Sequence, residues 1–206
     1  ILMSTRIQWG AVVSGTEQNI TLYGDNDFWY DIFYRRYEQH VPFAEFAKFA
    51  NGNLEWWDKW VAHPTYDDYW KSLIPSPEEY KRIEIPILQI SGYFDGSLRS
   101  TLGYFQDHME YGNQEVKKKH YLIIGPWSHG GTRRNHSEMD GLKFGPNSIV
   151  HKDMIEMYLQ WFDFVLKGKE KPEFLKKQIC YYVMNMDEWR YVDSLDELSN
   201  GTAAYY

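Results

Sequence analysis

The sequence predicts an α/β fold. Three features carry that prediction: a purely helical pattern over residues 1 to 80, a strand, helix and strand succession between Ile83 and Ile124, and a change to two-residue periodicity at Ile179.

Within residues 1–80 short helices are expected at Phe28 to Tyr37, Phe43 to Ala50, Leu54 to Val61 and Tyr66 to Leu73, with breaks at Pro42, Gly52 and Pro64. Leu54, Trp57 and Val61 fall at i, i+3 and i+7, an apolar stripe with Glu55, Asp58 and Lys59 facing away. The Asp25, Asn26, Asp27 triplet lacks the glycine and glutamate of a calcium loop and is a helix-start signal. Pro75, Pro77 and the charged run EEYKR then break the pattern.

Ile83 to Ile90 is short, nearly continuously apolar and rich in isoleucine, as a buried parallel strand would be. Leu98, Leu102, Phe105 and Met109 recur at i, i+4, i+7 and i+11, a helix ending near Gly112 and Asn113, and Tyr121 to Ile124 is a second strand. Together they form a βαβ unit with a parallel sheet. After a polar loop, Asn147 or Ser148 can cap a helix whose apolar positions are Ile155, Leu159, Phe162 and Leu166, stopped by Gly168. Beyond the linker KGKEKP, Ile179, Tyr181 and Val183 alternate with Cys180, Tyr182 and Met184, the expected start of a new β-rich domain.

The 22 basic and 29 acidic residues give a net charge of −7 without long runs, which argues against nucleic acid or an anionic membrane as partner. No apolar stretch reaches the roughly 18 to 20 residues of a membrane-spanning helix. The single cysteine, Cys180, excludes an internal disulfide and is compatible with a cytoplasmic location. No metal-ligand spacing exists, and no metal or organic cofactor is expected. Aromatic residues make up 18% of the chain, including nine tryptophans and 17 tyrosines, a density that suits either a packed helical core or an apolar ligand site.

In an open α/β sheet the reactive groups sit on loops just past the carboxyl ends of the strands. Asp95 follows the first strand in ISGYFDGS and His129 follows the second in IIGPWSHGG, 34 residues later. An imidazole that donates from one nitrogen to a carboxylate keeps the other free to take a proton. The order of acid before histidine suits a hydrolase triad. An Asp before Gly is also commonly a turn residue, and a loop histidine is commonly solvated. The loop residues Arg133, Arg134 and His136 are best read as solvated. No serine has glycine both two places before and two places after it: Ser14, Ser91, Ser97 and Ser128 each fail. Cys180, in an apolar strand, is a small buried hydrophobe rather than a substitute nucleophile.

ISGYFD, LIIGPWSHGG, YLQWFDFVLKG, ICYYVMNMDEWR and WWDKWVAHPTYDDYW together resemble the CocE/NonD, or S15-like, hydrolases, which include ester hydrolases and X-prolyl dipeptidyl peptidases. The resemblance spans nearly the whole chain. It implies an inserted helical cap at 1–80, the C-terminal part of an α/β-hydrolase domain at 81–170, and the start of a β jelly roll at 176–206. On that resemblance Asp95 is the orienting acid and His129 the general base, with the nucleophilic serine and the oxyanion tyrosine upstream of this internal piece. Ser97, two places past the acid, and Leu98 next to it would face the acyl group. Family members acting on α-amino acyl groups gather carboxylates there, whereas Gly96, Ser97 and Leu98 imply a neutral acyl group.

The expected partner is therefore a small ester or amide, cleaved through an acyl-enzyme, and a homo-oligomer is compatible with the sequence. The alternatives are an X-prolyl dipeptidyl peptidase and a non-catalytic binding fragment. As an isolated piece the chain is expected to be inactive.

Overall fold

In the computed structural model the described residues are 3–13, 20–50, 55–133, 137–139, 141–148, 154–199, 201 and 204. The chain divides into two compact units, Ile1–Pro75 and Ser76–Tyr206.

The first unit is helical: α1 (Met3–Val13), α2 (Ile20–Tyr23), α3 (Asn26–Glu38), a 3-10 helix at Phe43–Ala50, α4 (Glu55–Ala62) and α5 (Asp68–Lys71). Asp25 caps α3, its carboxylate accepting from the Phe28 N–H at 2.9 Å. Phe43–Ala50 takes 3-10 rather than α geometry, opened by the Glu45 N–H on the Pro42 carbonyl. Of the expected stripe on α4, Trp57 is fully buried and Val61 partly so, while Leu54 lies outside the described residues. The last helix is shorter than expected, because Asp67 closes a separate turn before it. Its carboxylate accepts from the Tyr69 N–H and contacts His63 Nδ1 at 2.6 Å. Ile7, Trp29, Ile32, Phe46, Ala47 and Trp57 form the core, so Trp29 and Trp57 serve packing.

The second unit opens with α6 (Pro77–Lys81), which the sequence reading treated as a break. The overlooked signal is the Ser76-Pro77-Glu78-Glu79 capping box. Glu79 N–H donates to Ser76 Oγ, Ser76 N–H donates to Glu79 Oε2 at 2.8 Å, and Pro77 sits at the first helical position.

β1 (Ile87–Phe94), α7 (Leu98–Tyr111), α8 (Gln114–Lys117) and β2 (His120–Ser128) follow, and β1 and β2 are parallel as expected. β1 starts later than the apolar run because Pro86 has no N–H to give the ladder. Both strands run on into the motifs that carry Asp95 and His129, with Ile90 opposite Ile123, Gly92 opposite Gly125 and Phe94 opposite Ser128 across a register shift. α7 ends at Tyr111, as read. Gly112 is there not for a left-handed turn but for space, since a Cβ on it would lie 2.5 Å from the His108 carbonyl oxygen.

The short hairpin β3 (Glu138–Met139) and β4 (Leu142–Lys143) precedes α9 (Met154–Lys167), then β5 (Ile179–Val183) and β6 (Glu188–Val192). The sequence reading assigned this last segment to the start of a jelly roll. In the structure both strands join the existing sheet in the order β1-β2-β5-β6, with β5 parallel to β2 and β6 antiparallel to β5.

Alternation along β2 sends Tyr121 and Ile123 to one face of the sheet and Leu122 and Ile124 to the other. α9 covers the first face through Met154, Met157 and Trp161. α7 covers the second through Phe105. The stripe expected to be the inner face of α9 is therefore the outer one, since Ile155, Leu159, Phe162 and Leu166 are all exposed. Both sides of this helix are apolar, so periodicity alone could not tell them apart. The residues that an Asn147 or Ser148 cap would meet, 149–153, lie outside the described residues; the Asn147 N–H donates to Asp187 Oδ1 at 2.9 Å. No described helix is long and apolar enough to cross a membrane.

At the start of β2 lies a buried polar chain that the sequence reading did not single out. His108 and His120 are both 0% exposed, with their Nδ1 atoms 2.8 Å apart. The Gln89 side-chain oxygen accepts from His120 Nε2–H at 2.8 Å, so His120 Nδ1 accepts from His108 Nδ1–H and both rings are neutral. Burial, reinforced by neighbouring His108, pushes His120 down to about 3. Burial, then the nearby Lys117 ammonium, lowers His108 as well.

Candidate active site

At the carboxyl ends of β1 and β2 one tryptophan sits against glycines from both strands. Trp127 is buried, and a Cβ on Gly92 would lie 2.0 Å from its carbonyl oxygen. A Cβ on Gly125 would lie 2.3 Å from its indole, and one on Gly131 2.5 Å from its Cβ. Three glycines thus leave room for Trp127, Gly92 for its backbone and Gly125 and Gly131 for its side chain, two residues before His129.

Past Gly92 the chain turns. The Asp95 N–H donates to the Gly92 carbonyl at 3.0 Å, and the Ser97 N–H donates to Asp95 Oδ1 at 2.8 Å, an Asx turn that fixes the carboxylate before α7 begins. The Asp95 side chain is only 6% exposed, against 65% for His129. His129 Nδ1 stands 3.3 Å from Oδ1 and 3.2 Å from Oδ2 of Asp95. A carboxylate facing Nδ1 holds the proton on that nitrogen and leaves Nε2 as an open acceptor toward solvent. The contact is at the long end of hydrogen-bond range, as catalytic pairs without substrate often are.

His129 opens a 3-10 turn, His129–Thr132, containing Gly130 and Gly131. Thr132 Oγ1 donates to the His129 carbonyl at 2.8 Å, and the Tyr158 hydroxyl, from α9, donates to the Thr132 carbonyl at 3.0 Å. Neither Thr132 nor Tyr158 was singled out from the sequence; a tyrosine inside an apolar helix carries no spacing signal of its contact.

Of the other residues singled out, Ser97 caps α7 by position, without a side-chain cap bond. Leu98 packs partly buried against the cluster of Phe105, Leu122 and Ile124. Arg133 is exposed, while Arg134 and His136 lie outside the described residues. Burial pushes the Cys180 thiol up to about 12, which suits an inert core residue. Among the described residues no group of three or more His, Cys, Asp or Glu could hold a metal ion.

Residues 18–131, more than half of the chain, match the model of the X-Pro dipeptidyl-peptidase (S15) family. The chain belongs to this family. The S15 match takes in both Asp95 and His129. The chain is similar to the cocaine esterase of Rhodococcus sp. (strain MB1 Bresler), 28% identical over 134 residues that cover 65% of this chain and 22% of that protein. It therefore spans about a fifth of that relative's length. Two solved structures share the fold at 22% identity. An aminopeptidase from a marine sediment Thaumarchaeota archaeon has a TM-score of 0.55, covering 72% of this chain and 24% of its own. An α-amino acid ester hydrolase has a TM-score of 0.53, covering 73% and 24% respectively.

Proposed function

We propose that this chain supplies the acid and the base of a serine hydrolase that cleaves a carboxylic ester or amide through an acyl-enzyme. The observation that carries the proposal is the Asp95–His129 contact at the ends of two adjacent parallel strands. Membership of the S15 family supports it.

In this reading a serine outside the 206 residues attacks the substrate carbonyl while His129 Nε2 takes its proton. The Asp95 carboxylate stabilises the imidazolium through Nδ1–H and keeps the ring in the required tautomer. The imidazolium then gives its proton to the leaving alcohol or amine as the tetrahedral intermediate collapses. His129 next deprotonates a water molecule, whose attack releases the acid and regenerates the serine.

The acyl group is proposed to be neutral and to pass Ser97, because Gly96, Ser97 and Leu98 offer no carboxylate to an incoming ammonium. A second reading, an X-prolyl dipeptidyl peptidase, is favoured by the description of the matching family and by the aminopeptidase of similar fold. Comparing hydrolysis of p-nitrophenyl acetate with that of Gly-Pro p-nitroanilide separates the two.

The test of the site itself uses the intact gene product. A fluorophosphonate probe should label one serine, and Asp95→Asn and His129→Ala should each lower kcat on the order of 10⁴-fold. A rate that survives either substitution within tenfold rejects the assignment.

A further inference from the structure

We infer that Tyr158 and Thr132 are positioning residues for His129, acting as a two-step hydrogen-bonded tether from α9 to the proposed base. The inference rests on the reading of Asp95 and His129 given above.

The imidazole needs such a tether. It is 65% exposed, and its ring is hydrogen-bonded to Asp95 at 3.2 Å. Packing therefore does little to hold the ring, and its location depends on where the backbone of His129 is placed. That backbone begins a four-residue turn with two consecutive glycines, and a Cβ on Gly130 would meet nothing within 4 Å. Gly131 is buried against Trp127, so the freedom of this turn lies at Gly130, next to His129.

Two bonds hold it. The Thr132 hydroxyl reaches back to the His129 carbonyl, closing the turn from within. The Tyr158 hydroxyl reaches the Thr132 carbonyl and ties the closed turn to a helix built into the sheet's core through Met157 and Trp161. Tyr158 is half-buried among apolar neighbours, and burial raises its hydroxyl above the usual phenol range, which keeps it a donor. The tether thus carries the stiffness of a packed α/β core to an otherwise open side chain. It touches neither a substrate nor a reacting atom. Its effect should appear in the frequency with which Nε2 is correctly placed, and so in kcat rather than in KM.

The experiment compares wild type, Tyr158→Phe, Thr132→Val and the double variant in the intact protein, using p-nitrophenyl acetate hydrolysis and the rate of fluorophosphonate labelling. Tyr158→Phe keeps the ring in the core and removes only the donor. It is expected to lower kcat roughly tenfold, with KM within about twofold and labelling slowed by the same factor as kcat. Because both residues act on one turn, the double variant should lose little more than the worse single one. Circular dichroism and titration of labelled sites give the folded fraction, so rates are compared per folded molecule.

Three results overturn the proposal: kcat of Tyr158→Phe within twofold of wild type, a loss confined to KM, or losses that simply multiply in the double variant. If His129→Ala itself retains activity, the site assignment fails, which is a separate outcome from a silent Tyr158→Phe.

Discussion

Acidification through the range where only histidines titrate should weaken the sheet-bearing unit, and the buried His108–His120 pair sets the size of the effect. In the unfolded chain each imidazole titrates near its ordinary value of about 6.5. In the folded protein burial holds His120 down to about 3 and lowers His108 in the same direction. Between those values the unfolded state binds more protons, so stability falls as pH falls. The contribution is fully present above pH 6.5 and is lost progressively below it.

For His120 alone, the difference between pH 7 and pH 5 is about 2 kcal/mol, following a limiting slope of about 1.4 kcal/mol per pH unit. His108 adds to it with the same sign. The carboxylates held low by hydrogen bonds, such as Glu79 and Asp163, lie below their ordinary values of 4.5 and 3.8 and act mainly below this window. Urea unfolding at pH 7, 6 and 5 measures the effect, expected as a midpoint shift on the order of 1 M. The paired variant His108→Leu/His120→Leu serves as the reference, because it cannot titrate there whatever its absolute stability. Parallel curves for wild type and variant across these pH values would refute the reasoning.

Gly92→Ala should destabilise the protein by about 3 kcal/mol or prevent folding, since its Cβ would sit 2.0 Å from the backbone of Trp127; thermal melts followed by near-ultraviolet circular dichroism test this. Ser76→Ala removes the capping box of α6 and should cost about 1 kcal/mol, read from urea midpoints, with no change in fluorophosphonate labelling. Asp187→Ala should cost about 1–3 kcal/mol, because the Asp187 carboxylate accepts from both the Tyr182 hydroxyl and the Asn147 N–H; faster amide exchange at Asn147 would accompany the loss.

The β1-α7-β2 unit was legible because each element has its own simple pattern: isoleucine-rich runs for strands buried on both faces and a clean i, i+4, i+7 spacing for the helix between. The Asp95–His129 contact was legible for the same reason, since parallel neighbours put both loops at one edge. Elements whose environment comes from afar were not legible. β5 alternates as a half-exposed strand would, yet it has Ile179 on one apolar cluster and Cys180 on the other, because β2 and β6 flank it. α9 has two apolar sides, and only the position of the sheet decides that Met157 and Trp161 face inward. His108 and His120 are 12 residues apart and signal nothing singly; α7 brings one to the other. The tether through Thr132 and Tyr158 is likewise a product of packing.

The wedge at Trp127 also constrains how this sequence can change over time. Gly92, Gly125 and Gly131 come from three places in the chain, and each is a glycine for the sake of the same neighbour. An alanine at Gly92 would meet the Trp127 backbone, one at Gly125 its ring and one at Gly131 its Cβ. Replacing the indole would relax Gly125 alone, at the cost of a cavity, because the atoms that oppose Gly92 and Gly131 most closely are the backbone and Cβ of residue 127. Substitution at Gly125 therefore depends on the order of events, since it can drift only once the indole has gone, whereas Gly92 and Gly131 are held by backbone and Cβ atoms that nearly any residue at 127 would keep. The strands that present Asp95 and His129 consequently resist change through single steps, which ties the spacing of the two residues to a packing solution rather than to the chemistry they are proposed to perform.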